Sequence, residues 1–234
     1  MPVTHPSTPT RVPPRSQGLL GSFKHAYEGL VHTLVNQRNM KIHVVSALLV
    51  AMVGSGITLD LATKVTLIFC VLLVFFAEIL NTALEALVDL HIDEFDERAR
   101  VTKDAAAAGV LVLAIGTVAI FLAVLVSHWP LILESRDKVV RQLFVGGPLA
   151  LLGGLLLWRA RRAVLLDVLA SLAGAALIFF LATWTTSTVM TGMTASLFAL
   201  CVVAARRRQL ADQAPAPSPG PAVVAPVALE ETER

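Results

Sequence analysis

The sequence predicts an all-α membrane protein, a surface-lying amphipathic helix followed by about six membrane-crossing helices. Three observations carry that expectation. Of the 234 residues, 56% are hydrophobic and only 15% are charged, whereas a water-soluble domain carries about a quarter of its residues as charges. Uncharged runs of crossing length recur through the middle of the chain. Prolines gather at the ends, five before residue 15 and five after residue 214, with only Pro130 and Pro148 between them. The stretches 1–17 and 207–234 therefore read as disordered tails, and the first lacks the apolar region of a cleaved signal peptide. A formal net charge of +2 gives no reason to expect a nucleic-acid partner. Cys70 and Cys201 lie inside apolar runs, which argues against a disulfide framework or a zinc cluster.

Residues 19–35 place Leu19, Leu20, Phe23, Tyr27, Leu30, Val31 and Leu34 at helical spacing, with Lys24, His25, Glu28 and His32 mostly elsewhere around the helix. That pattern predicts an amphipathic helix lying on a membrane. A helix packed on a soluble partner finds no such partner in the rest of the chain. The first crossing is Ile42–Leu59, its far end loosened by Gly54 and Gly56, and Asp60 is placed to cap the next helix. Val65–Leu90, Ala105–Val126 and the shorter Leu143–Trp158 follow. Val168–Ala205 then runs for 38 residues without a charge. A single helix of that length would measure about 57 Å against a hydrocarbon core of roughly 30 Å, so it predicts two crossings with a turn in Thr185–Gly192. With the N-terminus cytoplasmic, six crossings put Arg159, Arg161, Arg162 and Arg206, Arg207, Arg208 on the cytoplasmic side.

The second crossing contains residues that a membrane disfavours. Glu78 lies about 20 Å along the helix from Lys64, where a carboxylate costs on the order of 2.5–3.5 kcal/mol near the centre and less towards the interface. Glu78, Asn81, Thr82, Glu85 and Asp89 share an arc of roughly 100°, one polar stripe on one helix face. Glu78 is either a reacting group or a structural polar contact between helices. Glu85 and Asp89, near the membrane boundary, are either functional or a solvated helix end. After a charged connection, Thr102 reads as an N-cap and Asp104 as a first-turn acid that complements the helix dipole. Lys103 opposes that dipole, so a nearby phosphate or cytoplasmic placement must explain it. Paired carboxylates, an amide and a lysine at one boundary suit Mg²⁺ bridged to substrate phosphates. No G-x-x-x-x-G-K-S/T stretch is present, and the six histidines show no H-E-x-x-H spacing.

Three stretches, SFKHAYEGL (22–30) with NQRNMKIH (36–43), AEILNTALEALVD (77–89) and KDAAAAGV (103–110), resemble the bacterial integral-membrane diacylglycerol kinase and undecaprenol kinase family over about residues 18–128. The resemblance implies a kinase core of one surface helix and three membrane helices, assembled as a homotrimer with shared active sites at the cytoplasmic face of the inner membrane. It implies ATP and a membrane lipid as substrates and Mg²⁺ as cofactor. Glu78 would be the general base for the lipid's primary hydroxyl, with Asn81 orienting groups beside it. Glu85 would hold the metal, and Lys103 and Asp104 would contact the nucleotide. His25, Glu94 and Asp96 fall where the family touches ATP, matching by position more than by residue type.

Two departures stand out. Where the family carries a metal-binding glutamate before R-N-x-R/K-I-H, this chain has Gln37, which keeps an oxygen donor and loses a charge. The region 129–206 adds about three crossings with no catalytic constellation. There Asp167 reads as an interfacial charge, and the pairs Ala150/Gly154 and Ala170/Gly174 as helix-packing positions. The leading expectation is a lipid kinase preferring diacylglycerol, with undecaprenol as the alternative substrate. The first stretches look closer to the undecaprenol branch. Gln37 and the added helices also motivate a non-catalytic scaffold or sensor that retains the kinase shell. A transporter using Glu78 as a proton site lacks the internal repeat such proteins often show.

Overall fold

The computed structural model of the chain describes residues 18–90, 96–158 and 164–213. Among them are eight helices joined by short segments. α1 (Leu19–Asn36) and α2 (Arg38–Gly56) are separated by Gln37 alone, whose extended backbone (φ −88°, ψ 122°) ends one helix and starts the other. α3 (Leu61–Asp89) begins at the Asp60 cap expected from the sequence. The Asp60 carboxylate accepts from the Thr63 backbone N–H at 2.8 Å and from the Thr63 hydroxyl at 2.9 Å. Those bonds, the backbone one foremost, hold the Asp60 carboxyl below its ordinary range.

α4 (Glu97–Ser127) corrects the expected Thr102 cap. Asp96 caps the helix instead, accepting from the N–H groups of Arg98 and Ala99 at 2.7 and 3.1 Å. Thr102 already lies in the second turn, and its hydroxyl donates back to the Arg98 carbonyl at 2.8 Å. Asp96 is as good a cap as threonine, and Glu97-Arg-Ala favours helix immediately after it, so the helix starts at the first cap the chain offers.

The short α5 (Trp129–Glu134) carries Pro130 in its first turn, where the missing N–H costs nothing. It leads to α6 (Arg136–Trp158), α7 (Val164–Trp184) and α8 (Thr188–Gln213). Six helices, α2, α3, α4, α6, α7 and α8, are long and apolar enough to cross a membrane, so the chain is a multi-helix membrane protein. The long uncharged run divides at Thr185–Ser187, inside the expected turn. There the Thr186 N–H and hydroxyl both donate to the Ser55 carbonyl at 2.9 Å. The α7–α8 turn thus serves a carbonyl that the end of α2 leaves without a helical partner. α8 continues to Gln213, past the expected start of the tail, because nothing before Pro215 breaks a helix.

The added helices do not sit apart from the first four. One core draws Leu34, Met40, Val44, Leu48, Val71 and Phe75 together with Leu149, Leu156, Leu157, Ala170, Leu197 and Phe198. α2 packs on α6 and α8 more than on α3. Close approach depends on small residues, though not all those expected. Gly174 leaves no room for a methyl beside the Phe198 ring, whereas Gly154 faces open space. On α6 the packing glycines are Gly146, against Met52, and Gly153, against Leu48 and Cys201. α1 combines two environments. Leu19, Leu20 and Phe23 keep the exposed apolar side of a surface helix, while Val31 and Leu34 are buried where α1 meets α8. The added region thus supplies a protein partner for this half of α1.

Candidate active site

The polar stripe on α3 grades from dry to wet. Glu78 is 1% and Asn81 5% exposed, Glu85 is half-buried and Asp89 is exposed. Three of the expected site residues meet in one hydrogen-bonded group. The Asn81 side-chain amide donates to one Glu85 carboxylate oxygen at 2.8 Å, and the Gln37 amide reaches the other at 3.5 Å. Gln37 can do this because it occupies the joint between α1 and α2, where its side chain makes no capping hydrogen bond. One turn deeper, the Thr82 hydroxyl donates to the Glu78 carbonyl at 2.8 Å, so it stabilises backbone rather than the carboxylate.

Two acceptors in this group lack partners. Glu78 Oε2 and Asn81 Oδ1 are buried with no hydrogen-bond donor among the described residues. Buried oxygens of this kind are costly and rare. Gln142 on α6 is the other side chain with such atoms, but it lies against Gly56 at the opposite end of α2. A cavity of about 250 Å³ opens between α2, α3 and α4, walled mainly by apolar residues such as Ile42, Val74, Phe75 and Phe121, with His43 and Ser46 also in its wall. Val74 and Phe75 precede Glu78 by one helical turn, so the carboxylate follows the cavity wall along α3 without itself lining the cavity. The arrangement is a mostly apolar cavity one helical turn along α3 from an unpartnered buried carboxylate, with a carboxylate–amide group at the wetter end.

The wet end is closed by Lys103, whose ammonium forms an ion pair with Asp89 across α3 and α4. Its placement against the helix dipole is resolved: with α4 starting at Glu97, Lys103 lies in the second turn and has a carboxylate partner. Other expected residues have partners of their own. Asp104 pairs with Arg100 at 2.8 Å, and Arg100 also holds Glu97 at 2.5 Å, both on the exposed start of α4. His25 lies 3.5 Å from Glu28 on α1. Asp96 is engaged as the α4 cap, and Glu94 lies outside the described residues. Arg100 is not singled out by the sequence patterns and ties Glu97 to Asp104 on the helix surface. Its i, i+4 relation to Asp104 was the available signal.

The described residues contain no group of three or more His, Cys, Asp or Glu side chains able to hold a metal by themselves. Mg²⁺ does not need such a cage, since it commonly uses one or two carboxylates with substrate phosphates and water. Glu85 supplies one such carboxylate, but Asn81 and Gln37 each turn an amide nitrogen toward it, so both amides would have to turn before their oxygens could join a cation on Glu85, and the set would still carry one fewer negative charge than two carboxylates give.

A family model for prokaryotic diacylglycerol kinase matches residues 24–125, from within α1 to near the end of α4. Diacylglycerol kinase of Escherichia coli is 33% identical over 105 residues, covering 45% of this chain and 86% of that protein. The chain belongs to the prokaryotic diacylglycerol kinase family. A diacylglycerol kinase from Synechocystis sp. is 38% identical over 101 residues, or 43% of this chain, and the match spans 58% of that relative's length. Undecaprenol kinase of Bacillus subtilis is 35% identical over 94 residues, 40% of this chain and 76% of that protein. No solved structure matches the chain significantly. The family match ends before α5, so the helices that cover α2 in this structure lie outside it.

Proposed function

We propose that this protein is an ATP- and Mg²⁺-dependent lipid kinase that transfers the γ-phosphate of ATP to the primary hydroxyl of a membrane lipid, with diacylglycerol preferred. The observation that carries the proposal is the Glu78 carboxylate, buried with Oε2 unpartnered, one turn along α3 from an apolar cavity and one turn from the Asn81–Glu85–Gln37 group. A lipid hydroxyl presented from the cavity would donate to Glu78 Oε2. The carboxylate takes that proton as the hydroxyl oxygen attacks the γ-phosphorus, and ADP leaves. Asn81 orients the acceptor side of the site. Glu85 would hold Mg²⁺, joined by oxygens of Asn81 and Gln37 once their amides turn from the arrangement in which each points its nitrogen at Glu85; when bound, the ion would supply charge neutralisation at the nucleotide's phosphate oxygens. Lys103 exchanges Asp89 for a phosphate, and Asp104, His25, Glu94 and Asp96 belong to the nucleotide-facing side. The apolar cavity excludes water that would otherwise compete for the phosphoryl group.

The kinase domain in this reading is 18–128, with the N-terminus and the site on the cytoplasmic side of a bacterial inner membrane. The homotrimer expected for the family is supported by α4, where Val110 is the single buried residue and Leu111, Val112, Ile115 and Val118 are uncovered. Undecaprenol is the alternative acceptor, supported by the similarity to the Bacillus subtilis enzyme. The test is phosphorylation of each lipid by the purified protein with labelled ATP. Glu78→Gln should lower turnover by about 10²–10⁴-fold, the range for a positioned base, while nucleotide binding persists. Failure on both lipids, with Glu78→Gln indistinguishable from wild type, overturns the proposal; nucleotide binding without turnover would favour a scaffold or sensor.

A further inference from the structure

The charged cleft between α1 and α8 has no part in the reading above, and its two walls come from different halves of the chain. It measures about 460 Å³ and is lined by Glu28, Val31, His32 and Asn36 on one side and Arg207 and Arg208 on the other. The two arginines have different duties. Arg208 donates to the Leu156 and Leu157 carbonyls, which closes the C-terminal turn of α6 and fixes the end of α8. Arg207 is half-exposed and reaches Glu28 only at 3.8 Å, while Glu28 is shared with His25 at 3.5 Å. Two arginines and His32 therefore line the cleft with one acid, Glu28. Such an excess of positive charge is relieved by an anion, and a guanidinium's planar fork suits phosphate oxygens. Val31, Val35, Leu210 and Ala211 add apolar wall beside the charges.

We propose that the α1–α8 cleft binds a phosphate monoester or diester through Arg207 and His32, the added helices giving the core a second phosphate site separate from Glu85. Arg207 is the ligand-binding cation, Arg208 holds the wall in place, and Glu28 competes with the ligand for Arg207. The phosphate comes from an anionic lipid headgroup or from solution, and both share this chemistry.

Native mass spectrometry of the full-length protein, released from phosphatidylcholine nanodiscs containing a minor fraction of phosphatidic acid, tests the site without reading phosphoryl transfer. Wild type should retain phosphatidic acid, Arg207→Gln should retain about tenfold less, as expected for loss of one charge-assisted contact, and Glu28→Gln should retain more. Arg206→Gln is the control, because Arg206 lines the neighbouring cleft between α7 and α8. Displacement by inorganic phosphate marks a site open to soluble phosphate, and its absence marks a lipid site; both support the proposal. Equal losses in Arg206→Gln and Arg207→Gln would mean general surface charge and overturn it. So would unchanged retention in Arg207→Gln, or no gain in Glu28→Gln, a variant whose expected gain cannot arise from misfolding.

Discussion

Glu85 is the residue on which the wet half of the site depends, since both its oxygens already accept from amides, at 2.8 Å from Asn81 and 3.5 Å from Gln37. An amide in place of a carboxylate at position 37 leaves the group with a single negative charge for a divalent cation. Gln37→Glu should restore the second carboxylate next to Glu85 and lower the magnesium needed for half-maximal activity by about tenfold, given the strength of close charge interactions. A magnesium titration of both proteins checks this, and an unchanged or raised requirement shows that position 37 is not a metal site here. Glu78 works by the opposite physics. In the proposed reaction its value as a base would rest on having no donor at Oε2, so the same burial that makes it expensive would keep it available to a substrate hydroxyl.

The helices are placed by features that act within or between single elements. At the start of α3, the Asp60 carboxyl is held below its ordinary range by the Thr63 hydrogen bonds. Because its folded value is the lower one, the cap contributes fully above the ordinary carboxylate range. That contribution fades as pH falls through the lowered value. Asp60→Asn keeps an oxygen for the Thr63 N–H but does not titrate. The stability difference between wild type and variant should therefore shrink on acidification, as measured by thermal melts across that range. Between α7 and α8, a methyl added at Gly174 would overlap the Phe198 ring. Gly174→Ala should cost about 1–3 kcal/mol, the range for overpacking a well-filled contact, seen as a lower melting temperature. Gly154→Ala, facing open space, should leave the melt unchanged. The difference between two glycines on paper-identical small-residue motifs lies in which helix arrives opposite them.

At the scale of the molecule, α2 is the hinge of the design. It carries Met40, Val44, Ala47, Leu48 and Ala51 fully buried, and α6 and α8 provide most of their cover. A chain ended after residue 128 would expose that face along with Val31 and Leu34 of α1. We expect such a truncation to melt at lower temperature than the full chain and to self-associate, as read by thermal melts and size-exclusion chromatography. Full retention of stability and dispersity would show that the added helices are accessory to the kinase core rather than part of its packing. The shared core also explains how α8 can bring Arg207 to α1 without any long connection: α8 crosses back beside α2 and ends where α1 begins its packed half.

What the sequence determined by itself was whatever depends on one segment at a time. The crossings follow from apolar length, the α7–α8 turn from a run too long for one helix, and the α3 stripe from the fixed rotation per residue. The family followed too, since its motifs are local. Tertiary structure decided the pairings between segments: Gln37 with Glu85, Lys103 with Asp89, Gly153 rather than Gly154 as a packing position, and α1 against α8. Periodicity says which side of a helix is polar or small, but not which neighbour that side meets. Even the earlier start of α4 was a choice between two adequate caps, Asp96 and Thr102, that local preference alone left open.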